Sequence, residues 1–151
     1  MAFSVTTQWQ LSSDAEVLED GEFCRDHTIT FGSGQTVQAS SAPEYKGNPS
    51  KVNPEEGLLA ALSSCHMITF LTIAHLKRLT VLSYTDECHA ELGKLESGKQ
   101  AITKMTLKPK VIFADETAIS VEVLNKIHEK AHANCFISNS LACNIEIIPT
   151  L

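Results

Sequence analysis

The chain shows no positive charge excess, no targeting run and no unbroken apolar stretch of membrane length. Its 151 residues hold 12 Lys and Arg against 18 Asp and Glu, a formal net charge of −6. That balance argues against a general affinity for nucleic acid or acidic membrane surfaces. The start, Met1-Ala2-Phe3-Ser4-Val5-Thr6-Thr7-Gln8, has neither the basic opening nor the apolar core of a secretory signal. The longest apolar run, Leu58–Leu76, is broken by Ser63, Ser64, His66, Thr69, Thr72 and His75, which argues against a membrane span. Five cysteines are an odd number and too few for a disulfide scaffold. The expectation is a cytoplasmic protein whose thiols rest reduced. No repeat, linker or low-complexity tract divides it, so one domain over residues 1–151 is expected.

What is present reads as an α+β chain in β-β-β-α-β-β-α-β order. Val5–Leu11 alternates with period two, and Glu22–Phe31 and Gln35–Ala39 flank the turn Gly32-Ser33-Gly34, a hairpin signal. Asp14–Gly21 is acidic and turn-like, and Ser40–Lys51 reads as a surface loop. Asn53, Pro54 and Glu56 form a helix start with a capping box. From there to about Arg78 the chain is apolar on nearly every side, so that helix is expected to be buried all round, in a core or at a subunit interface. Ser83–Lys94 and Ala101–Phe113 are predicted strands, Asp115–Ala133 an amphipathic helix opened by Asp115 and Glu116, and Cys143–Ile148 a last strand.

Two cysteines carry the chemistry. Cys65 lies inside the apolar helix, and Cys135 stands where the chain leaves the second one. A thiol placed at the exit of one helix and another within a second suggest a pair able to meet and exchange electrons. Cys65 is too deep in its helix to draw on the dipole, and burial would push its pKa up. A reactive thiolate there therefore needs a cation. Arg25 is the candidate, on a strand face shared with Phe23, His27, Ile29 and Phe31, with Lys46 as a competitor. Glu55 is the candidate carboxylate to orient the arginine. It precedes Cys65 by ten residues, about 15 Å along one unbroken helix, so either the helix starts later than Asn53 suggests, or Glu55 acts through Arg25 or across a dimer, or it is only a helix-start acid.

The run Asn53-Pro54-Glu55, Cys65 ten residues past the glutamate, and the later Cys135 with Ser138-Asn139-Ser140 resemble the OsmC/Ohr family of thiol-dependent peroxidases. The resemblance implies an OsmC-like fold of antiparallel sheets with two buried central helices, as an intertwined homodimer. It also implies that Cys65 is the peroxidatic residue and Cys135 the resolving one, with an Arg25–Glu55 pair stabilising the thiolate. No cofactor is implied; the partners are a hydroperoxide and a dithiol reductant, of the lipoyl type or a small thiol. Two departures stand out: Phe136 follows Cys135 where many relatives carry proline, and His66 follows Cys65 directly. The apolar neighbours Met67, Ile68 and Phe70 favour an organic hydroperoxide over hydrogen peroxide.

Two rivals remain open at this level. His128, His132 and Cys135 have ligand-like spacing, with Cys65-His66 and Cys88-His89 as further donors, although no Cys-x-x-Cys or His-Glu-x-x-His motif occurs. A non-catalytic domain of the same fold could instead hold an apolar ligand. Cys24, Cys88 and Cys143 are read as outside turnover, with Cys143 an alternative resolving thiol.

Overall fold

The hairpin forms as expected and organises the N-terminal part of the chain. In the computed structural model, which describes residues 1–11, 21–115 and 119–151, strands β1 (Val5–Gln8), β2 (His27–Phe31) and β3 (Thr36–Ala39) pair antiparallel in the order β1-β2-β3. The turn closes with the Gly34 N–H donating to the Phe31 carbonyl at 2.8 Å. Gly34 sits at φ 85°, a conformation that costs a side-chained residue about 1–2 kcal/mol. The acidic turn expected over Asp14–Gly21 falls outside the described residues except for Gly21, as does Glu116.

Strand β2 is shorter than its alternation predicts. Residues 22–26 leave the ladder because their groups have other partners: the Trp9 indole N–H donates to the Cys24 carbonyl at 2.8 Å, and Glu22, Arg25 and Asp26 enter ion pairs. Phe23 and Phe31, expected on an inward face, are exposed. The following loop is well tied. Ser40 is fully buried and its hydroxyl accepts the Asn48 N–H at 3.1 Å, while Lys51 bridges to Asp26 at 2.8 Å.

The described chain divides into two compact units, Met1–Gly57 and Leu58–Leu151, and helix α1 (Pro54–Leu76) begins in one and continues into the other. Its start is the predicted capping box: the Glu56 N–H donates to Asn53 Oδ1 at 2.8 Å, and the Asn53 N–H donates to Glu56 Oε2 at 3.1 Å. Its end is a Schellman motif. The Leu79 N–H reaches back to the Ala74 carbonyl at 3.0 Å and the Arg78 N–H to that of His75 at 2.9 Å, with Arg78 itself left-handed at φ 60°.

The expectation that α1 is buried all round does not hold within one chain. A single stripe is buried, Leu62, His66, Phe70 and Ala74, four residues apart as one face of a helix requires. Ile68 is 58% exposed and Leu76 76% exposed. The helix is long and apolar enough to cross a membrane by length and composition, with mean hydropathy 1.7 over an 18-residue window of which 22% is buried. Among the described residues, one face of it is buried.

Each of the two segments predicted as a single strand is two. Val81–Asp86 (β4) pairs with Pro109–Phe113 (β7), and His89–Lys94 (β5) with Gln100–Leu107 (β6), all antiparallel. Asp86 explains the break: its Oδ1 accepts the Lys108 N–H at 2.7 Å, and its Oδ2 accepts the Ser63 hydroxyl at 2.5 Å. It thus pins both chain crossings to α1. The last strand, β8 (Asn144–Ile147), lies parallel to β6, giving the order β5-β6-β8.

Helix α2 (Val121–Asn134) starts later than predicted because Ser120 caps it, its hydroxyl accepting the Val123 N–H at 3.2 Å. The expected spine of Ile119, Ile127 and Ala131 is buried, Val123 packs against it half-buried, and Leu124 and His128 complete it. Two apolar clusters result. One joins Phe70 and Ala74 of α1 to Leu124, Ile127 and Ala131 of α2 and to Val111 and Phe113 of β7. The other gathers Leu62, Met105, Leu107 and Cys135.

Candidate functional site

The second cluster is where the two thiols meet. Cys65 is half-buried on α1, one turn past Leu62, and Cys135 is fully buried at the C-terminal cap of α2. Both belong to one cluster, with Cys88 and Cys143 at its margin, and all five cysteines are free thiols. The spacing of 70 residues in sequence is closed by packing alone.

The electrostatics of the pair are asymmetric. Burial pushes the Cys65 thiol up, but donors outweigh it and its pKa lies below the ordinary value. Those donors are the Cys135 thiol, the backbone N–H groups of Ile137 and Phe136, and the Thr69 hydroxyl. Cys135 goes the other way, pushed up to about 11 by burial and by the adjoining Cys65. Of the two thiols Cys65 is therefore the more readily ionised, with Cys135 as its hydrogen-bond donor. The Ser138 N–H still points at the Cys135 sulfur, at 3.4 Å.

The sequence pattern calls for a cation and carries no sign of these backbone donors. Phe136 and Ile137, in the turn that follows α2, supply backbone N–H groups that favour the Cys65 thiolate, and a short 3-10 turn over Ser138–Ser140 follows them. The His132 ring and the Ser138 hydroxyl add a 2.9 Å hydrogen bond across the same turn. Thr69 was legible, standing four residues past Cys65 on one helix face. Its single hydroxyl proton is shared between the Cys65 sulfur and the Cys65 carbonyl oxygen, 2.8 Å away.

The expected cations lie in the N-terminal unit, and both engage Glu22. Arg25 donates to Glu22 Oε2 at 2.9 Å and Lys46 to Oε1 at 2.5 Å. The Lys46 and then the Arg25 hydrogen bonds hold the Glu22 carboxyl below the usual carboxylate range. The Arg25 guanidinium also lies 4.3 Å from the centre of the Phe23 ring. Glu55, the predicted partner of Arg25, occupies the first turn of α1 and forms no hydrogen bond or ion pair with the described residues. Strand alternation places Glu22 on the face opposite Arg25, so the pattern gives no sign of this i−3 pair, which forms because residues 22–26 leave the ladder.

Phe70, expected to line the approach to Cys65, is wholly buried in the other cluster against Tyr84, Phe113 and His128. Phe136, beside Cys135, is instead 82% exposed. Among the described residues no group of three or more His, Cys, Asp or Glu is arranged to hold a metal ion. The histidines of the metal reading have other partners: His66 Nε2 bonds His128 Nδ1 at 2.9 Å, and His132 bonds Ser138.

The fold and site define an α+β protein with a polarised dithiol, one thiol on a central helix and the other at the cap of a second. The chain belongs to the OsmC-like protein family, whose model matches residues 47–149. It is similar to the OsmC-like protein of unknown function VCA0330 from Vibrio cholerae, at 36% identity over 99% of both chains and a TM-score of 0.92. It is also similar to YmaD of Bacillus subtilis, 26% identical over 82% of this chain and 83% of that one. An organic hydroperoxide resistance protein of Elizabethkingia anophelis has the same fold, at 19% identity, a TM-score of 0.73, and coverage of 99% of this chain and 94% of that one.

Proposed function

We propose that the protein is a thiol-dependent peroxidase that reduces organic hydroperoxides to alcohols. The observation that carries this reading is the polarised pair, Cys65 held toward thiolate by Cys135 and two backbone N–H groups. Family membership and the likeness to organic hydroperoxide resistance proteins support it.

The Cys65 thiolate attacks the distal oxygen of the hydroperoxide; the O–O bond breaks, the alkoxide takes a proton and leaves as alcohol, and Cys65 becomes a sulfenic acid. The Cys65 charge that helped raise Cys135 is then gone, so Cys135 ionises more readily, with the Ser138 N–H at its sulfur. Cys135 attacks the sulfenic sulfur, forming the Cys65–Cys135 disulfide and releasing water. An external dithiol, of the lipoyl type or a small thiol, returns the pair to its reduced state by exchange. That cycle suits a reducing cytoplasmic setting.

The exposed apolar side of α1 supports a homodimer in which a second copy covers it. In this reading Arg25 steadies the thiolate and the leaving oxygen, released from Glu22 or shared with Glu55. The exposed Phe136 favours apolar peroxides. The test is the intact mass and free-thiol count after one equivalent of cumene hydroperoxide. Loss of two thiols mapped to Cys65 and Cys135, abolished in Cys65→Ser, is expected, with hydrogen peroxide slower. Five unreacted thiols would overturn the proposal.

A further inference from the structure

We infer that the buried His66–His128 hydrogen bond is a positioning device that sets Cys135 against Cys65, and so governs disulfide closure rather than attack on peroxide. This rests on the peroxidase reading for its mechanism, though not for its test. His66 is the residue after Cys65 on α1, and His128 lies seven residues before Cys135, about two turns of α2. The pair stands where the two apolar clusters adjoin, between Leu62 and Phe70 on the buried stripe of α1.

The geometry is specific. His66 Nε2 and His128 Nδ1 are 2.9 Å apart, with the rings within 4° of parallel. Phe70 stacks on His128 at 4.3 Å. Apart from the Cys135–Cys65 contact at the cap of α2, this is, among the described residues, the one side-chain hydrogen bond between α1 and α2. Apolar contacts between the helices are non-directional and tolerate rotation, whereas this bond fixes how α1 is turned about its axis. A rotation of about 10° would carry a group about 5 Å from the axis through about 1 Å, a displacement that matters greatly when two atoms must form a bond.

Stability does not explain the pair. His66 and His128 are 1% and 2% exposed. Yet His66 Nδ1, His128 Nε2 and the neighbouring Tyr84 hydroxyl have no hydrogen-bond partner among the described residues. An apolar pair of similar shape would fill the space without stranding the two ring nitrogens.

The step at stake is Cys65–SOH plus Cys135–SH giving the disulfide and water. Its competitor is a second hydroperoxide that converts Cys65–SOH to the sulfinic acid and releases another alcohol. Misplacing Cys135 slows the first and leaves the second untouched.

The experiment compares wild type with His128→Leu, which breaks the bond, and His128→Asn, whose amide replaces Nδ1. His66→Asn, too short to reach His128, stands in if His128→Leu does not fold. Equilibration with reduced and oxidised glutathione gives the effective concentration of the Cys65–Cys135 pair without any peroxide, and stopped-flow oxidation separates attack from closure. The bond-breaking variants should lose about tenfold or more in effective concentration and closure rate, the scale of one hydrogen bond, and accumulate sulfinic acid at lower peroxide. His128→Asn should stay within about threefold of wild type. Effective concentrations within twofold of wild type in the bond-breaking variants would overturn the inference, as would a parallel fall in attack and closure. A wild type inert to hydroperoxide would sink the peroxidase reading, while the glutathione equilibrium would still decide this one.

Discussion

Acidification from pH 7.5 to pH 5 should destabilise the fold by about 4 kcal/mol through two residues, His66 and His128. Burial, with His132 nearby, pushes His66 down to about 4, and burial, with His66 adjoining, pushes His128 down to about 3. In the unfolded chain each returns to about 6.5. Between these values unfolding takes up protons, so stability is fully present above pH 6.5 and is lost as pH falls. At pH 5 both rings are neutral in the native state and almost fully protonated when unfolded. Each then costs about 1.4 kcal/mol for each of about 1.5 pH units, or about 2 kcal/mol. Against a typical total of about 5–15 kcal/mol, the loss is large.

The assay is urea unfolding at fixed protein concentration between pH 5 and 8. Near pH 5.5 the slope should approach two protons, about 2.5 kcal/mol per pH unit. The double variant His66→Gln with His128→Asn keeps an amide bond but cannot titrate, and should flatten the slope. The lowered carboxyls of Glu22 and Asp26 lose their stabilising contribution only as pH falls through the acid range, so they do not supply this slope. Stability unchanged between pH 7.5 and 5.5, or a slope that survives in the double variant, would refute the reasoning.

Replacing Cys135 by alanine removes a donor to the Cys65 sulfur; alkylation of Cys65 by iodoacetamide at pH 6.5 should slow about threefold or more, with its pH profile moved upward. An unchanged profile would mean the backbone N–H groups suffice. Arg78→Gly should raise stability by about 1 kcal/mol, because Arg78 holds a left-handed conformation at the end of α1; urea unfolding at pH 7.5 reads this directly.

Local chemistry made much of this molecule legible in advance. The Asn53–Glu56 box, the Gly34 turn and the apolar spacing on α2 specify their elements through neighbours a few residues apart, and they form as read. So did the resemblance carried by Asn53-Pro54-Glu55, Cys65 and Cys135, because those residues lie in recognisable local runs. Element ends were harder. Ser120 displaced the start of α2, and Asp86 cut two long strands into four, since one carboxylate accepting from Ser63 and Lys108 is invisible along the chain.

By itself the sequence determined where the helical and extended regions follow one another, though not the number of strands, and it determined the two thiols and their apolar setting. Tertiary structure alone decided which groups lower the Cys65 pKa. Periodicity reports which way a side chain faces, never which distant backbone N–H will lie near it, so the sequence pattern calls for a cation where Phe136 and Ile137 supply donors. The same holds for Arg25, which turned to Glu22 three residues away, and for His66 and His128, two unremarkable histidines until packing set their rings 2.9 Å apart. Contacts across 62 or 70 residues are created by the burial of apolar stripes on separate helices, and no local pattern encodes which polar atoms that burial brings together.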